Sequence, residues 1–218
     1  EAEFPSGQFL RLDQRSGYPV AGDVESRVVL DDPEPFALSL RLPAWSVGTS
    51  VEINGESPGE AIPGRYLSLR RRWQAGDTVT LKLDMSPHCW PNPKSAATGP
   101  RSADATVYET SLYRGPLLLA YDPAFNGGDE ALQAGLDAAN LPMEPGQTDR
   151  RWLAPRLLLR TRGRDGQTLQ PCHSASAGMP GTRSTTWLPV WFPGEPTTPL
   201  RGSPFADRMR NAETQEHE

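Results

Sequence analysis

The 218-residue chain has little cysteine: Cys89 and Cys172 are the only two, too few to form the disulfide framework that holds small coreless domains together. Lysine is scarce as well, with Lys82 and Lys94 set against many arginines, and the formal net charge is -5. That balance gives no basis for binding nucleic acid or an anionic membrane. No run of 18 apolar residues occurs, so no membrane-spanning helix is expected. Helical periodicity is nearly missing too. Residues 129–139, with Leu132 and Leu136 four apart, are the one stretch that predicts a short helix. Hydrophobic residues make up 36% of the chain, and 23 prolines with 20 glycines break it often, which favours short strands and many turns.

What is present is alternation. In FALSLRLPAW, residues 36–45, Phe36, Leu38, Leu40 and Leu42 point one way and Ala37, Ser39 and Arg41 the other, as in a strand with one face on a core. Pro43 lacks the N–H a ladder needs, so the strand ends there and Trp45 reaches a rim. Residues 8–12, 23–30, 51–55, 66–70 and 78–85 give further strands, and Asn54-Gly55 predicts a φ > 0 turn between antiparallel strands. Residues 117–121 are apolar on both faces and suit a covered central strand. Residues 156–160 and 168–172 read as a hairpin turning at Arg164-Asp165-Gly166, and 185–192 as the last strand. The expected fold is all-β, two antiparallel jelly-roll-like β-sandwich domains in tandem with very little helix. Residues 1–4 read as a cloning remnant, 5–85 as the first sandwich and 86–105 as a Pro-rich linker. The second sandwich takes 106–192, and 193–218 form a tail.

The succession Tyr18-Pro19, FALSLRLPAW, Val51-Glu-Ile-Asn-Gly55, Pro63-Gly-Arg-Tyr66, Trp73-Gln-Ala-Gly-Asp77 and Leu81-Lys-Leu-Asp-Met85 resembles the region after the catalytic barrel in glycoside hydrolase family 127, the β-L-arabinofuranosidase family. Tyr113-Arg-Gly-Pro-Leu117 resembles that family's next block, and residues 174–190 its last. The match runs over roughly residues 18–190. It departs at Val20, where a Trp is expected, and in the Pro-rich stretch 86–105. The resemblance implies the accessory β-sandwich part of such an enzyme. In that family an (α/α)6 barrel carries the acid/base Glu and the zinc-bound Cys nucleophile. No segment here has that barrel's periodicity or motif, so no catalytic residue is transferred.

His88-Cys89 and Cys172-His173 form a mirrored pair of dipeptides. A disulfide and free thiols are the leading readings. Zinc is disfavoured because the usual ligand spacing is missing, and no metal or other cofactor is expected. An exported chain, secreted or periplasmic, would favour a Cys89–Cys172 disulfide. Asp31, Asp32, Glu34 and Asp77 read as loop and turn acids, and sequence singles out no pair flanking a scissile bond. Among the tryptophans, Trp45 and Trp73 border strands and read as core, while Trp152 and Trp187 are undecided. Trp90, and after it Trp191 with Phe192, lie in Pro-bounded segments and are the candidate carbohydrate-binding aromatics. The expected function is a non-catalytic, carbohydrate-associated accessory module whose partners are a poly- or oligosaccharide and an upstream catalytic barrel. The alternatives are a small glycoside hydrolase with an unrecognised acidic pair and a purely structural support for a barrel.

Overall fold

The computed structural model describes residues 2–91, 106–126, 128, 132, 135–138, 141, 143–146, 157–163, 166–173 and 184–192. Most of the expected linker, residues 92–105, and the expected tail, 193–218, lie outside the described residues, as does Trp152. The protein is almost entirely β, with several antiparallel sheets, and divides into two compact units between Met85 and Ser86.

The first unit comprises β1 (Ala2–Glu3), β2 (Phe9–Ser16), β3 (Asp23–Val29), β4 (Glu34–Arg41), β5 (Ser50–Ile53), β6 (Tyr66–Trp73) and β7 (Thr78–Lys82). Five strands form one antiparallel sheet in the order β1-β2-β3-β7-β5, and β4 pairs with β6 in a second. One core joins the two sheets: Val28, Val51 and Val79 from the first meet Leu69 and Trp73 from the second. This is a β-sandwich, and the alternating apolar positions of residues 36–42 fill its inner face. Trp73 is fully buried; its indole N–H donates to the Phe36 carbonyl at 3.1 Å and its ring stacks on Phe36 at 5.5 Å. The Arg71 guanidinium lies 5.3 Å from the Trp73 ring centroid, a cation–π distance. Phe4, inside the segment the sequence reading set aside, packs on Phe36 at 5.4 Å, and the neighbouring Ala2–Glu3 pair with β2.

Asn54-Gly55 makes the expected turn, with φ of 53° and 86°, while Ile53 and Glu56 exchange backbone hydrogen bonds of 2.8 and 3.0 Å. The strand leaving that turn does not return along β5; β5 pairs instead with β7. The Asn54 side chain explains how the distant turn is held. Its amide N–H donates to Asp77 Oδ1 at 2.8 Å, and its oxygen accepts from the Thr78 backbone N–H at 2.8 Å. Asp77 Oδ2 accepts from the Gln74 N–H at 2.9 Å and lies 3.8 Å from Arg71. Burial pushes the Asp77 carboxyl up, but the hydrogen bonds from Asn54 and Gln74 and the Arg71 charge outweigh it and hold the group below its ordinary value.

The second unit comprises β8 (Pro87–Pro91), β9 (Thr106–Arg114), β10 (Leu117–Ala120), α1 (Pro123–Asn126), β11 (Leu136–Asp137), β12 (Glu144–Pro145), β13 (Leu159–Arg162), β14 (Thr168–Leu169), β15 (Cys172–His173) and β16 (Trp187–Phe192). The start of the expected linker is thus a strand, since Pro87–Pro91 pair antiparallel with β9. Thr110 and Ser111 of β9 pair with both β8 and β16, which therefore occupy opposite edges of that strand. A hairpin leads from β9 to β10, β15 lies beside β10, and β12, β13 and β14 form a separate sheet. The helix expected over residues 129–139 does not reach Leu136. Gly135 takes φ of 72°, a helix-terminating conformation, and Leu136–Asp137 pair parallel with β16, the one parallel ladder described.

Asp77→Ala removes the acceptor of two hydrogen bonds and is expected to cost about 2 kcal/mol at neutral pH, read from urea midpoints. Because the folded Asp77 pKa lies below its unfolded value, that stabilisation is complete above about pH 4 and is lost as pH falls through the folded pKa. The gap between parent and variant should narrow in acid; a gap independent of pH would contradict the assigned role.

Candidate functional site

The β8–β9–β16 ladder sorts its side chains by alternation. Cys89, Thr110, Leu112, Leu188, Val190 and Phe192 are buried on one face. On the other face, Trp90 stands opposite Ser111, and Ser111 stands opposite Trp187. Residues in register across a sheet share a face, so the three side chains form one row over three strands. Trp187 is 43% exposed, and Trp90 and Ser111 are half-buried. The two tryptophans are two strand spacings apart, about 10 Å, with a small hydroxyl between them. One step along the sheet, His88 stacks on Tyr113 with ring centroids 5.4 Å apart and planes 13° from parallel, stiffening the β8 side of the face.

Of the aromatics singled out from the sequence, Trp90 lies half-buried on the outer face. Trp191 shares that face but packs on the loop before β11: a Cβ on Gly135 would come within 3.2 Å of its indole nitrogen and 2.8 Å of the Pro189 carbonyl. Phe192 is a correction. Its neighbour Trp191 takes the outer face, so Phe192 points into the core, 6% exposed and edge-on to Tyr108 at 5.7 Å. Trp187 was undecided from sequence. Its spacing of two from Pro189 and four from Trp191 marks a shared face, but only the pairing with Ser111 sets it beside Trp90.

Residues 1–85 match the family model described as the β-L-arabinofuranosidase GH127 middle domain. Solved structures share the fold beyond that span. A GH127 β-L-arabinofuranosidase from Geobacillus stearothermophilus T6 superposes with a TM-score of 0.67 at 22% identity, covering 87% of this chain and 32% of that one. A protein described as a glycoside hydrolase gives 0.61 at 21% identity, with coverages of 83% and 32%. Another GH127 β-arabinofuranosidase gives 0.60 at 21%, with coverages of 85% and 32%. The chain thus spans 32% of the length of each of these structures. No curated protein matches it. The resemblance to the β-sandwich region of GH127 enzymes is shown by the family model over the first unit, and the shared fold extends through the second.

Asp31 and Asp32 are exposed loop residues, the Asp32 backbone N–H donates to Gln8 Oε1 at 2.5 Å, and Glu34 accepts from the Gln8 amide at 3.4 Å. Asp77 is committed to its turn and shifted downward, the reverse of what a general acid requires. Among the described residues, no group of three His, Cys, Asp or Glu is placed to hold a metal ion. The expected disulfide is not formed. Cys89 and Cys172 are buried free thiols, and β9 and β10 lie between their strands. Three strand spacings of about 4.8 Å exceed the roughly 7 Å Cα separation that a disulfide tolerates.

Burial pushes the Cys89 thiol up to about 12, and burial together with the Asp122 charge does the same for Cys172. Both should be inert to a thiol-directed reagent at pH 8 in the native protein, with two equivalents released on unfolding. The stability that the neutral thiols contribute is present below their ordinary pKa of 9 and is lost as pH rises toward 12. Fast native labelling, or no free thiol after unreduced denaturation, would refute this assignment.

Proposed function

We propose that the chain is a non-catalytic accessory module that holds carbohydrate on the outer face of β8, β9 and β16. The observation that carries the reading is the Trp90–Ser111–Trp187 row. Indole faces stack on the apolar faces of sugar rings, and the serine leaves room for a glycan chain to lie between the two aromatics. An oligosaccharide laid across the strands meets one ring at each end and a hydroxyl partway along. Such contacts support weak binding, since a millimolar dissociation constant needs only about 4 kcal/mol. The solved structures similar to this chain include β-L-arabinofuranosidases, which makes arabinan and arabinoxylan the first neutral glycans to try. Asp77, committed to its turn and held below its ordinary pKa, is poorly suited to act as a general acid, which supports an accessory role over a hydrolytic one.

In affinity electrophoresis through gels containing either polysaccharide, the intact chain should be retarded. Trp187→Ala should abolish the retardation and leave the melting temperature within about 2 °C, because the side chain is exposed and outside the core. Absence of retardation of the intact chain by any neutral polysaccharide would refute the proposal. Retardation untouched by Trp187→Ala would move the site elsewhere.

A further inference from the structure

The two sheets of the first unit treat charge differently on their outer faces. On the larger sheet, Asp13 stands opposite Arg27, Arg15 opposite Glu25 and Asp23 opposite Lys82. Opposite charges directly across strands neutralise one another, as on a face built for water. The outer face of β4 and β6 has no such balance. Its cross-strand pairs are Pro35 with Arg72, Ala37 with Arg70, Ser39 with Ser68, and Arg41 with Tyr66, and every one of these residues is exposed. It carries three arginines and no acid. The ion pairs among the described residues are Arg11–Asp13, Arg71–Asp77 and Arg160–Glu144, so none of Arg41, Arg70 and Arg72 has a carboxylate of a described residue within 4 Å.

From this asymmetry we propose that the outer face of β4 and β6 is a binding site for acidic polysaccharide, a chain of uronate sugars. Arg70 and Arg72 are two residues apart on one strand, about 7 Å, and each can grip a carboxylate with a planar bidentate fork. Alanine, serine and proline make a low floor between the guanidinium groups, and a shallow depression lies over Pro35, Ala37, Arg70 and Arg72. Tyr66, 70% exposed and paired with Arg41, offers an aromatic face for a sugar ring at one end of the row. Like charges gathered on one face repel each other, and an anionic chain relieves that repulsion in a protein whose net charge is -5. A protein partner needs a desolvated apolar centre, and this face has one tyrosine at its edge. The site belongs to the first unit alone and does not rest on the Trp90–Trp187 row.

The test is affinity electrophoresis of the full chain in gels containing polygalacturonate, with fully methyl-esterified polygalacturonate as the uncharged counterpart. Retardation is expected in the acid form only, and should weaken as NaCl rises from about 50 mM to about 300 mM because surface charges are screened. Arg70→Ser with Arg72→Ser should weaken binding about tenfold or more, a change of about 1.4 kcal/mol. Arg11→Ser with Arg15→Ser, which removes the same charge from the self-neutralised face, should leave it unchanged. If the Arg70/Arg72 variant melts early, Arg41→Ser carries the same expectation. No retardation of the intact chain, equal loss in both arginine pairs, or retardation by single-stranded DNA in preference to polygalacturonate would each overturn the proposal.

Discussion

Packing of Trp73 between the two sheets of the first unit is the constraint on which the rest of that unit depends. Its ring lies against Phe36, its N–H is satisfied by the Phe36 carbonyl, and Arg71 closes over it from the same strand. A side chain of this size, sealed from water, contributes several kcal/mol through buried apolar area and fixes the register of β4 against β6. Register in turn decides everything outside. With Leu38, Leu40, Leu67 and Leu69 committed inward, Arg70, Arg72 and Arg41 have no face left but the outer one. The cationic row is therefore a consequence of the same alternation that builds the core.

In the second unit the corresponding role falls to β9. It is long enough to carry β8 along one edge while β16 and β10 share the other. Leu112 and Thr110 anchor its buried side, and Ser111 is left as a gap on the outer side flanked by indoles from two other strands. Gly135 shows how closely that face is packed further along: only a residue without a Cβ fits against Pro189 and Trp191. One stretch of the face is thus covered by backbone and another carries the half-exposed row. The packed Trp191 and the more exposed Trp187 differ in that the backbone at Gly135 lies against Trp191.

The GH127 likeness fits this division of labour. The matched family model ends at Met85, where the first compact unit ends, and the similar solved structures are about three times the length of this chain. Asp77 shows how one charged residue of the sandwich is spent: it ties the β6–β7 turn to the Asn54 turn. The two buried thiols have their pKa raised by burial, on strands too far apart to bond.

The sequence by itself determined the class of fold, because strand alternation and turn chemistry are local. Residues 36–42 declare their inward face, Pro43 ends the strand, and Asn54-Gly55 takes the positive φ that its composition demands. The family resemblance was legible for a related reason, since the recurring blocks are these same strands and turns. Tertiary structure alone decided which strands meet. Alternation says that β5 has a buried face but not that β7 covers its edge, and it cannot show that Trp90 and Trp187 flank one serine. Phe192 was misread because aromatic chemistry is the same in a core and on a platform; one residue of register separates it from Trp191. Leu136 was misread as helical because its spacing from Leu132 is local, while the Gly135 turn and the β16 edge that capture it are set by distant packing. The disulfide failed on the same ground, for sequence counts cysteines and only the sheet sets the distance between them.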